Sequence, residues 1–335
     1  MNALEALGFD ETYREEFDRI VAEAGYTAVV PGRVSADFGM QLEVLSPAGR
    51  RRGQLVGRFL SAELDRPAVG DWVVFRVTDE KTGQILDQLT RRTELVRQAA
   101  GETTDRQVIG ANLDIVFVVT SLNLEFNLKR IERYLTAVRE GGATPVVVLN
   151  KADLVDERDS FIAQLRESAP DVDVVVTSAT EQEGLDRLAS YLEPATTAAF
   201  VGSSGVGKST LVNKLAKSEL MLTKDIREED AKGRHTTTHR QLLELPDGAI
   251  VIDTPGMREF QLFGAEEGLE EVFEDIQELA SYCRFRDCEH RGEPGCEVRA
   301  ALEDGELSEA RLAQYHKLQR ELAEHRDRTE QANWR

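Results

Sequence analysis

No apolar run in the 335-residue chain approaches the ~18 residues that cross a bilayer, so a membrane-spanning helix is not expected. The opening Met1-Asn2-Ala3-Leu4-Glu5 has neither a basic stretch nor a long apolar one, so it does not read as a secretory signal, and a cytoplasmic location is expected. Lipidation motifs and basic amphipathic helices are missing, which disfavours a membrane-attached role. Internal repeats and low-complexity tracts are missing too. Cysteine is scarce: Cys283, Cys288 and Cys296 are the only three, and they fall within fourteen residues. An odd number so crowded excludes a disulfide framework and points to metal. Positive charge is the remaining deficit, with 41 Lys and Arg against 61 Asp and Glu, a net charge of −20. Such a surface repels polyanions at long range.

The deficit is uneven. Residues 1–26 carry two basic and seven acidic side chains, whereas residues 27–97 carry eleven and nine. The second, locally non-acidic stretch contains Arg50-Arg51-Arg52. As a turn between strands the triplet is either a solvated loop or a contact for RNA phosphates.

What is present is a chain that is 41% hydrophobic and 30% charged, enough for a sizeable core, and long enough for two or three domains. Residues 1–25 read as an acidic amphipathic helix that packs on a neighbour through Leu4, Leu7, Tyr13, Phe17, Ile20 and Val21. Five short β-rich runs follow within residues 26–97: Thr27–Val34, Met40–Leu45, Gly53–Phe59, Asp71–Val77 and Gln84–Leu89. They are punctuated by Pro31-Gly32, Ser46-Pro47-Ala48-Gly49 and Lys81-Thr82-Gly83, which suits a small closed barrel of OB type. From Leu113 strands alternate with helices, including strands Pro145–Leu149 and Thr197–Val201 and helices Leu128–Glu140 and Lys208–Leu215. That rhythm builds a mostly parallel sheet with helices on both faces. Residues 266–335 are mainly helical, with the cysteines embedded. The expected whole is a multidomain α/β protein: helical extension 1–25, OB-fold barrel 26–97, P-loop domain 98–265 and helical metal module 266–335.

Chemistry concentrates in a few motifs. Gly202-Ser203-Ser204-Gly205-Val206-Gly207-Lys208-Ser209 fits G-x-x-x-x-G-K-[ST] and lies between a strand and a helix that takes in Thr210. Its glycines let backbone amides wrap phosphates, Lys208 reaches the β- and γ-phosphates, and Ser209 binds Mg²⁺. Asn150-Lys151-Ala152-Asp153 selects the base. The Asp153 carboxylate accepts from both N1–H and the exocyclic amine of guanine, a donor pair adenine lacks, and Lys151 packs its stem along the ring. Ser178-Ala179, after the next strand, supplies a second guanine contact. Asp253-Thr254-Pro255-Gly256 fits D-x-x-G, with Asp253 holding Mg²⁺ through water and the Gly256 amide sensing the γ-phosphate. Between it and the P-loop, Gly233-Arg234-His235-Thr236-Thr237-Thr238-His239 offers a threonine to the Mg²⁺ shell, Thr237 first and Thr236 as the alternative.

Guanine elements at 150 and 178 precede the P-loop at 202, the reverse of the ordinary order, which means a circular permutation. The chain therefore leaves directly after the D-x-x-G loop. Where a glutamine commonly positions the attacking water stands Met257, so His235 is the best candidate for that task. The polar, charged stretch 225–239 is expected to be mobile until a partner orders it, making free turnover slow. Finally, Cys283, Cys288, His290 and Cys296 form a closed tetrahedral set for one structural Zn²⁺.

A barrel, a permuted GTPase and a Cys₃His module in this order resemble the RsgA (YjeQ) family of bacterial ribosome small-subunit-dependent GTPases. Val69-Gly70-Asp71-Trp72-Val73, Arg92-Thr93-Glu94-Leu95-Val96-Arg97, Ile109-Gly110-Ala111-Asn112-Leu113-Asp114 and the run from Gly233 to Thr238 match it further. The resemblance implies a monomeric late assembly factor of the 30S subunit that binds GTP and rRNA and hydrolyses GTP to leave. A GTP-dependent RNA-binding switch with incidental hydrolysis is the alternative.

Overall fold

The structure, a computed structural model, describes residues 4–39, 41–61, 64–98, 106–122, 126–203, 205–217, 240–253, 273–285, 288–309, 311–313 and 315–316. The chain divides into two compact units, residues 1–97 with 107–262, and residues 98–106 with 263–335. Among the described residues no helix is long and apolar enough to cross a membrane.

The first unit opens with helix α1 (Glu11–Ala24). Asp10 caps it, accepting from the Tyr13 amide at 3.0 Å, and Gly25 ends it in the left-handed region at φ 65°. Its apolar stripe, Tyr13 and Phe17, joins Leu4 and Phe9 against Trp72, Val74, Leu86 and Leu89. The neighbour expected for this helix is thus the outer wall of the barrel.

The barrel comprises β1 (Val30–Asp37), β2 (Leu42–Ser46), β3 (Gly49–Leu55), β4 (Trp72–Val77) and β5 (Thr82–Gln88). The pairings run β1–β2–β3–β5–β4 and close back from β4 to β1, with β3 and β5 parallel and the rest antiparallel. This is the closed five-stranded OB arrangement. Val34, Leu42, Val44, Val73, Phe75 and Ile85 fill it. One expectation is corrected: Arg50-Arg51-Arg52 is not a loop but strand, pairing with Leu45, Val44 and Glu43. A two-residue turn at Pro47-Ala48 brings the chain back at once, so the strand begins at Gly49. Arg50 Nη1 meets Glu43 Oε1 at 2.6 Å across the pair, and Arg51 Nε donates to the Asp79 carbonyl at 3.1 Å.

A two-stranded sheet, β6 (Glu94–Gln98) with β7 (Arg106–Ala111), precedes the second sheet region. There β8 (Ile115–Ser121), β9 (Thr144–Asn150), β10 (Asp173–Val176), β11 (Thr197–Val201), β12 (Arg240–Glu244) and β13 (Ile250–Asp253) lie in the order β10-β9-β8-β11-β13-β12. All pairs are parallel except β12–β13. Helices α2 (Leu128–Glu140), α3 (Asp159–Ser168), α4 (Leu185–Ala189) and α5 (Lys208–Leu215) cover it as two contacting pairs, α2 with α3 and α4 with α5. The central strands are apolar throughout, as two covered faces require. At its far edge β12 pairs antiparallel with β1 of the barrel, Ala36 opposite Gln241 and Asp37 opposite Arg240, so barrel and parallel sheet are one continuous hydrogen-bonded surface.

Arg33 of β1 is 1% exposed and sits where extension, barrel and parallel sheet meet. Its Nε donates to the Gly70 carbonyl at 3.2 Å, Nη1 to the Leu7 carbonyl at 2.5 Å, and Nη2 to the Asn112 carbonyl at 3.3 Å and to Thr197 Oγ1 at 2.9 Å. The guanidinium also lies 5.5 Å from the Trp72 ring centroid. Among the described residues no carboxylate pairs with it, and burial pushes its pKa down to about 10. Asn112 completes the joint, donating to the Gly70 carbonyl at 3.0 Å while accepting from Tyr13 Oη at 2.9 Å and from the Arg92 amide at 2.9 Å. Beside it the buried Asp71 takes the Ala68 amide at 2.7 Å and Arg91 Nη2 at 2.8 Å.

The second unit contains α6 (Glu274–Ser281) and α7 (Glu297–Glu303) around Phe273, Ile276, Val298, Ala301, Leu307, Leu312 and Tyr315.

Arg33→Met keeps the volume but takes one donor each from the carbonyls of Leu7, Gly70 and Asn112 and from the Thr197 hydroxyl. It is expected to cost about 2–4 kcal/mol of stability, read as a lower urea midpoint with an unchanged slope. An unchanged midpoint would show that the joint is held elsewhere.

Candidate functional site

The P-loop, the N-K-x-D run and the Ser178-Ala179 turn meet at the carboxyl ends of β11, β9 and β10, the crevice where open parallel sheets take ligands. Between β11 and α5, Lys208 Nζ donates to the carbonyls of Gly202 and Ser203, both at 2.7 Å. This folds the loop around its own ammonium group. Gly202 stands at φ 137°, and a Cβ there would fall 2.0 Å from the Val119 carbonyl of β8. Gly207 stands at φ 101°, with a Cβ 2.2 Å from Asn150 Nδ2. Neither place admits a side chain. Val206, Gly207, Ser209 and Thr210 complete the described part of the loop and the first turn of α5.

The second glycine makes room for a strut. Asn150, 1% exposed at the end of β9, donates from Nδ2 to the Val206 carbonyl at 2.7 Å. Its Oδ1 accepts from Thr177 Oγ1 at 3.1 Å and from the Ala179 amide at 3.4 Å. One side chain therefore ties all three motifs together. Lys151 follows in the left-handed region, φ 60°, which turns the chain into the short 3₁₀ turn Ala152–Leu154. Asp153 is exposed there, and Ser178 Oγ donates to its Oδ1 at 2.6 Å. The carboxylate is held by one oxygen, in the orientation the loop dictates. Asp253 ends β13 beside β11. Ser204, His235, Thr236, Thr237, Gly256 and Met257 lie outside the described residues.

The metal candidates converge in the second unit. One ligand atom from each of Cys283, Cys288, His290 and Cys296 lies within 4.8 Å of every other. Cys283 Sγ is 3.9 Å from Cys296 Sγ and 3.7 Å from His290 Nδ1, which is 3.4 Å from Cys296 Sγ. Ligands on a tetrahedral ion with bonds of about 2.3 Å stand about 3.8 Å apart, so the four fit a closed site. Desolvation, and then the Cys296 and Cys283 thiols, push the Cys288 thiol up to about 12, while burial keeps His290 below its usual range and thus neutral. A divalent cation would displace the thiol protons, and a neutral imidazole is the form that ligates it.

Comparison with known proteins bears on this geometry. The RsgA GTPase family model matches residues 88–263. The chain belongs to the RsgA GTPase family. Family membership makes it a GTP hydrolase, and the sheet order shows how a permuted chain keeps the P-loop strand β11 central, between β8 and β13. A Methanosarcina acetivorans protein named small ribosomal subunit biogenesis GTPase RsgA is 47% identical over 298 residues, covering 87% of this chain and 79% of the relative. Its namesake from Opitutus terrae is 44% identical over 333 residues, 96% of this chain and 90% of the relative. Among solved structures, YjeQ from Thermotoga maritima is 30% identical with a TM-score of 0.54, covering 88% of this chain and 99% of that one. YloQ, described as a circularly permuted GTPase, is 28% identical with a TM-score of 0.50, covering 89% and 96%.

Within this GTPase the motifs shared with the family outside the nucleotide loops are joints. Gly70, Asp71 and Trp72, Arg92, and Asn112 all gather about Arg33 or its immediate neighbours. Two residues that motif reading does not single out also matter. Arg130 of α2 touches the P-loop through Ser203 Oγ at 2.6 Å. Glu293 folds the metal loop by accepting from the amides of Glu289, Arg291 and Gly292 at 2.9, 2.8 and 2.9 Å. A glutamate three residues from a ligand carries no sequence signal of this role.

Amide hydrogen bonds, its own and that of Gly292 first, hold the Glu293 carboxyl at about 2, below its ordinary 4.5. A depressed acid stabilises the fold above the unfolded value and loses that contribution as pH falls through the folded one. Glu293→Gln is therefore expected to lower the hydrogen-exchange protection of the Arg291 and Gly292 amides at pH 7. The difference from the parent should close between pH 4.5 and about 2.

Proposed function

We propose that this GTPase acts in maturation of the small ribosomal subunit, in the cytoplasm and as a monomer, with the subunit accelerating hydrolysis and hydrolysis driving release. The observation that carries the reading is the β1–β12 ladder. Strand β12 lies in the chain between the candidate switch residues around Thr237 and the D-x-x-G run, and it is hydrogen-bonded directly to the barrel. A polyanion that engages the barrel pulls on the strand that leads into the nucleotide-sensing loop. The names of the relatives, small ribosomal subunit biogenesis GTPases, supply the polyanion.

In this reading the residues of Gly202–Thr210 wrap the phosphates, with Lys208 on the β- and γ-oxygens. Ser209, Thr237 and Asp253 would hold Mg²⁺, which would supply charge neutralisation at the phosphates. Lys151, Asp153, Ser178 and Ala179 recognise guanine, and Asn150 holds those loops in register. The Gly256 amide senses the γ-phosphate, and His235 orients the attacking water. Cys283, Cys288, His290 and Cys296 hold one structural Zn²⁺. Arg50, Arg51 and Arg52, on a strand that presents Arg50 and Arg52 to solvent, contact rRNA phosphates.

Asp153→Asn is expected to weaken GTP binding by at least about tenfold and to favour xanthosine triphosphate, whose C2 oxygen accepts from an amide. Wild-type protein that binds ATP as tightly as GTP would refute the guanine assignment. For the subunit, GTP turnover is measured with and without purified small subunits. The expected result is slow basal turnover, acceleration by subunits, and an acceleration that fades as salt rises. Turnover unchanged by saturating subunits at low salt would refute the coupling.

A further inference from the structure

Arg130, a cation outside the P-loop, reaches into it. Arg130 lies in the first turn of α2, where Asn127 caps the helix by accepting from the Arg130 amide at 2.9 Å. Ile131, Tyr134, Leu135 and Val138 bury the helix's other face, so the backbone that carries Arg130 is fixed. Its Nη1 donates to Ser203 Oγ at 2.6 Å. Ser203 is the second residue of the loop, and its carbonyl accepts from Lys208 Nζ at 2.7 Å. The residue before it, Gly202, shares the same ammonium and presses its backbone on Val119 of β8. The first turn of the loop is thus fastened twice, by a close backbone approach at Gly202 and by a charge-assisted hydrogen bond at Ser203. Lys208 is held by the carbonyls of both residues.

We propose that Arg130 is a positioning residue for GTP hydrolysis: by holding Ser203 to α2 it sets where the Lys208 ammonium stands. The proposal rests on the reading of Gly202–Thr210 as the phosphate-binding loop. A guanidinium suits the task because it stays charged and its planar fork loses little freedom per bond made. Placement matters most in the transition state, where charge develops on the phosphate oxygens and donors must already be in place. Binding of the diphosphate is spread over many loop amides and the base contacts, so it depends less on one ammonium. Arg130 therefore acts on the rate more than on affinity.

The test is a double-mutant cycle on the full-length protein, with single-turnover GTP hydrolysis and GDP affinity measured side by side. Arg130→Ala and Ser203→Ala are each expected to slow hydrolysis roughly five- to thirtyfold while GDP affinity moves less than about threefold. The double variant should be no slower than Arg130→Ala alone, because one contact has been removed twice. Arg130→Lys, which keeps the charge and one donor, should recover part of the rate. Ser203→Ala deletes a single hydroxyl, so the cycle survives even if Arg130→Ala folds poorly. Rate losses that multiply in the double variant would overturn the proposal. So would a Ser203→Ala protein as fast as wild type, which would place Arg130 on the nucleotide itself. Equal losses of rate and GDP affinity would reduce Arg130 to a general support of the loop. Wild-type protein that fails to bind GDP would instead overturn the reading of the loop on which this rests.

Discussion

The first unit depends on a buried charge that, among the described residues, forms no ion pair. Arg33 gives up hydration at 1% exposure and is compensated by carbonyls from the N-terminal segment, the barrel and the stretch before β8, and by a hydroxyl at the start of β11. Carbonyl dipoles can satisfy a guanidinium, but only from fixed directions, so each must arrive correctly for the others to be worth anything. That demand makes the joint cooperative. It also places Thr197, the first residue of the P-loop strand, under the same constraint as the barrel.

At the other end of that strand a neutral residue does the equivalent work. Asn150 spends its amide nitrogen on the phosphate loop and its oxygen on the turn at Thr177–Ala179. Its task is geometric: the N-K-x-D run, the Ser178-Ala179 turn and the glycine-rich loop come from segments separated in sequence, and circular permutation reverses their order without changing their meeting point. Hydrogen bonds at strand ends are indifferent to which segment is made first. This is why the sheet keeps β11 central while the chain begins elsewhere.

Much of this is legible in the sequence where punctuation is strong. Asn127 and Gly141-Gly142 bracket α2, and the glycine-rich loop marks the boundary between β11 and α5, so those elements fall where pattern places them. The Cys₃His set is legible because ligand chemistry is rare and local. Other features are not. Three consecutive arginines look like a loop, yet strand pairing is satisfied by backbone, so a strand paired on both sides can still present Arg50 and Arg52 to solvent. The β6–β7 pair has only Leu95-Val96 and Val108-Ile109 as adjacent apolar residues and no period-2 alternation, so no strand pattern separates it from its surroundings. Arg33 reads as an ordinary polar residue of a strand, since its partners lie 26 to 164 positions away. Long-range polar contacts of this sort leave no periodicity behind.

The ladder between β1 and β12 has a consequence for how such a protein can evolve or be cut. Strand β12 is the last strand of the parallel region, and β1 covers its outer edge with backbone hydrogen bonds at Ala36–Asp37. Removing the barrel would leave an antiparallel strand with unpaired amides and carbonyls facing solvent, the kind of edge that recruits other chains and aggregates. The barrel is therefore not a detachable accessory, and trimming the chain to a minimal GTPase would exchange a covered strand for a sticky edge.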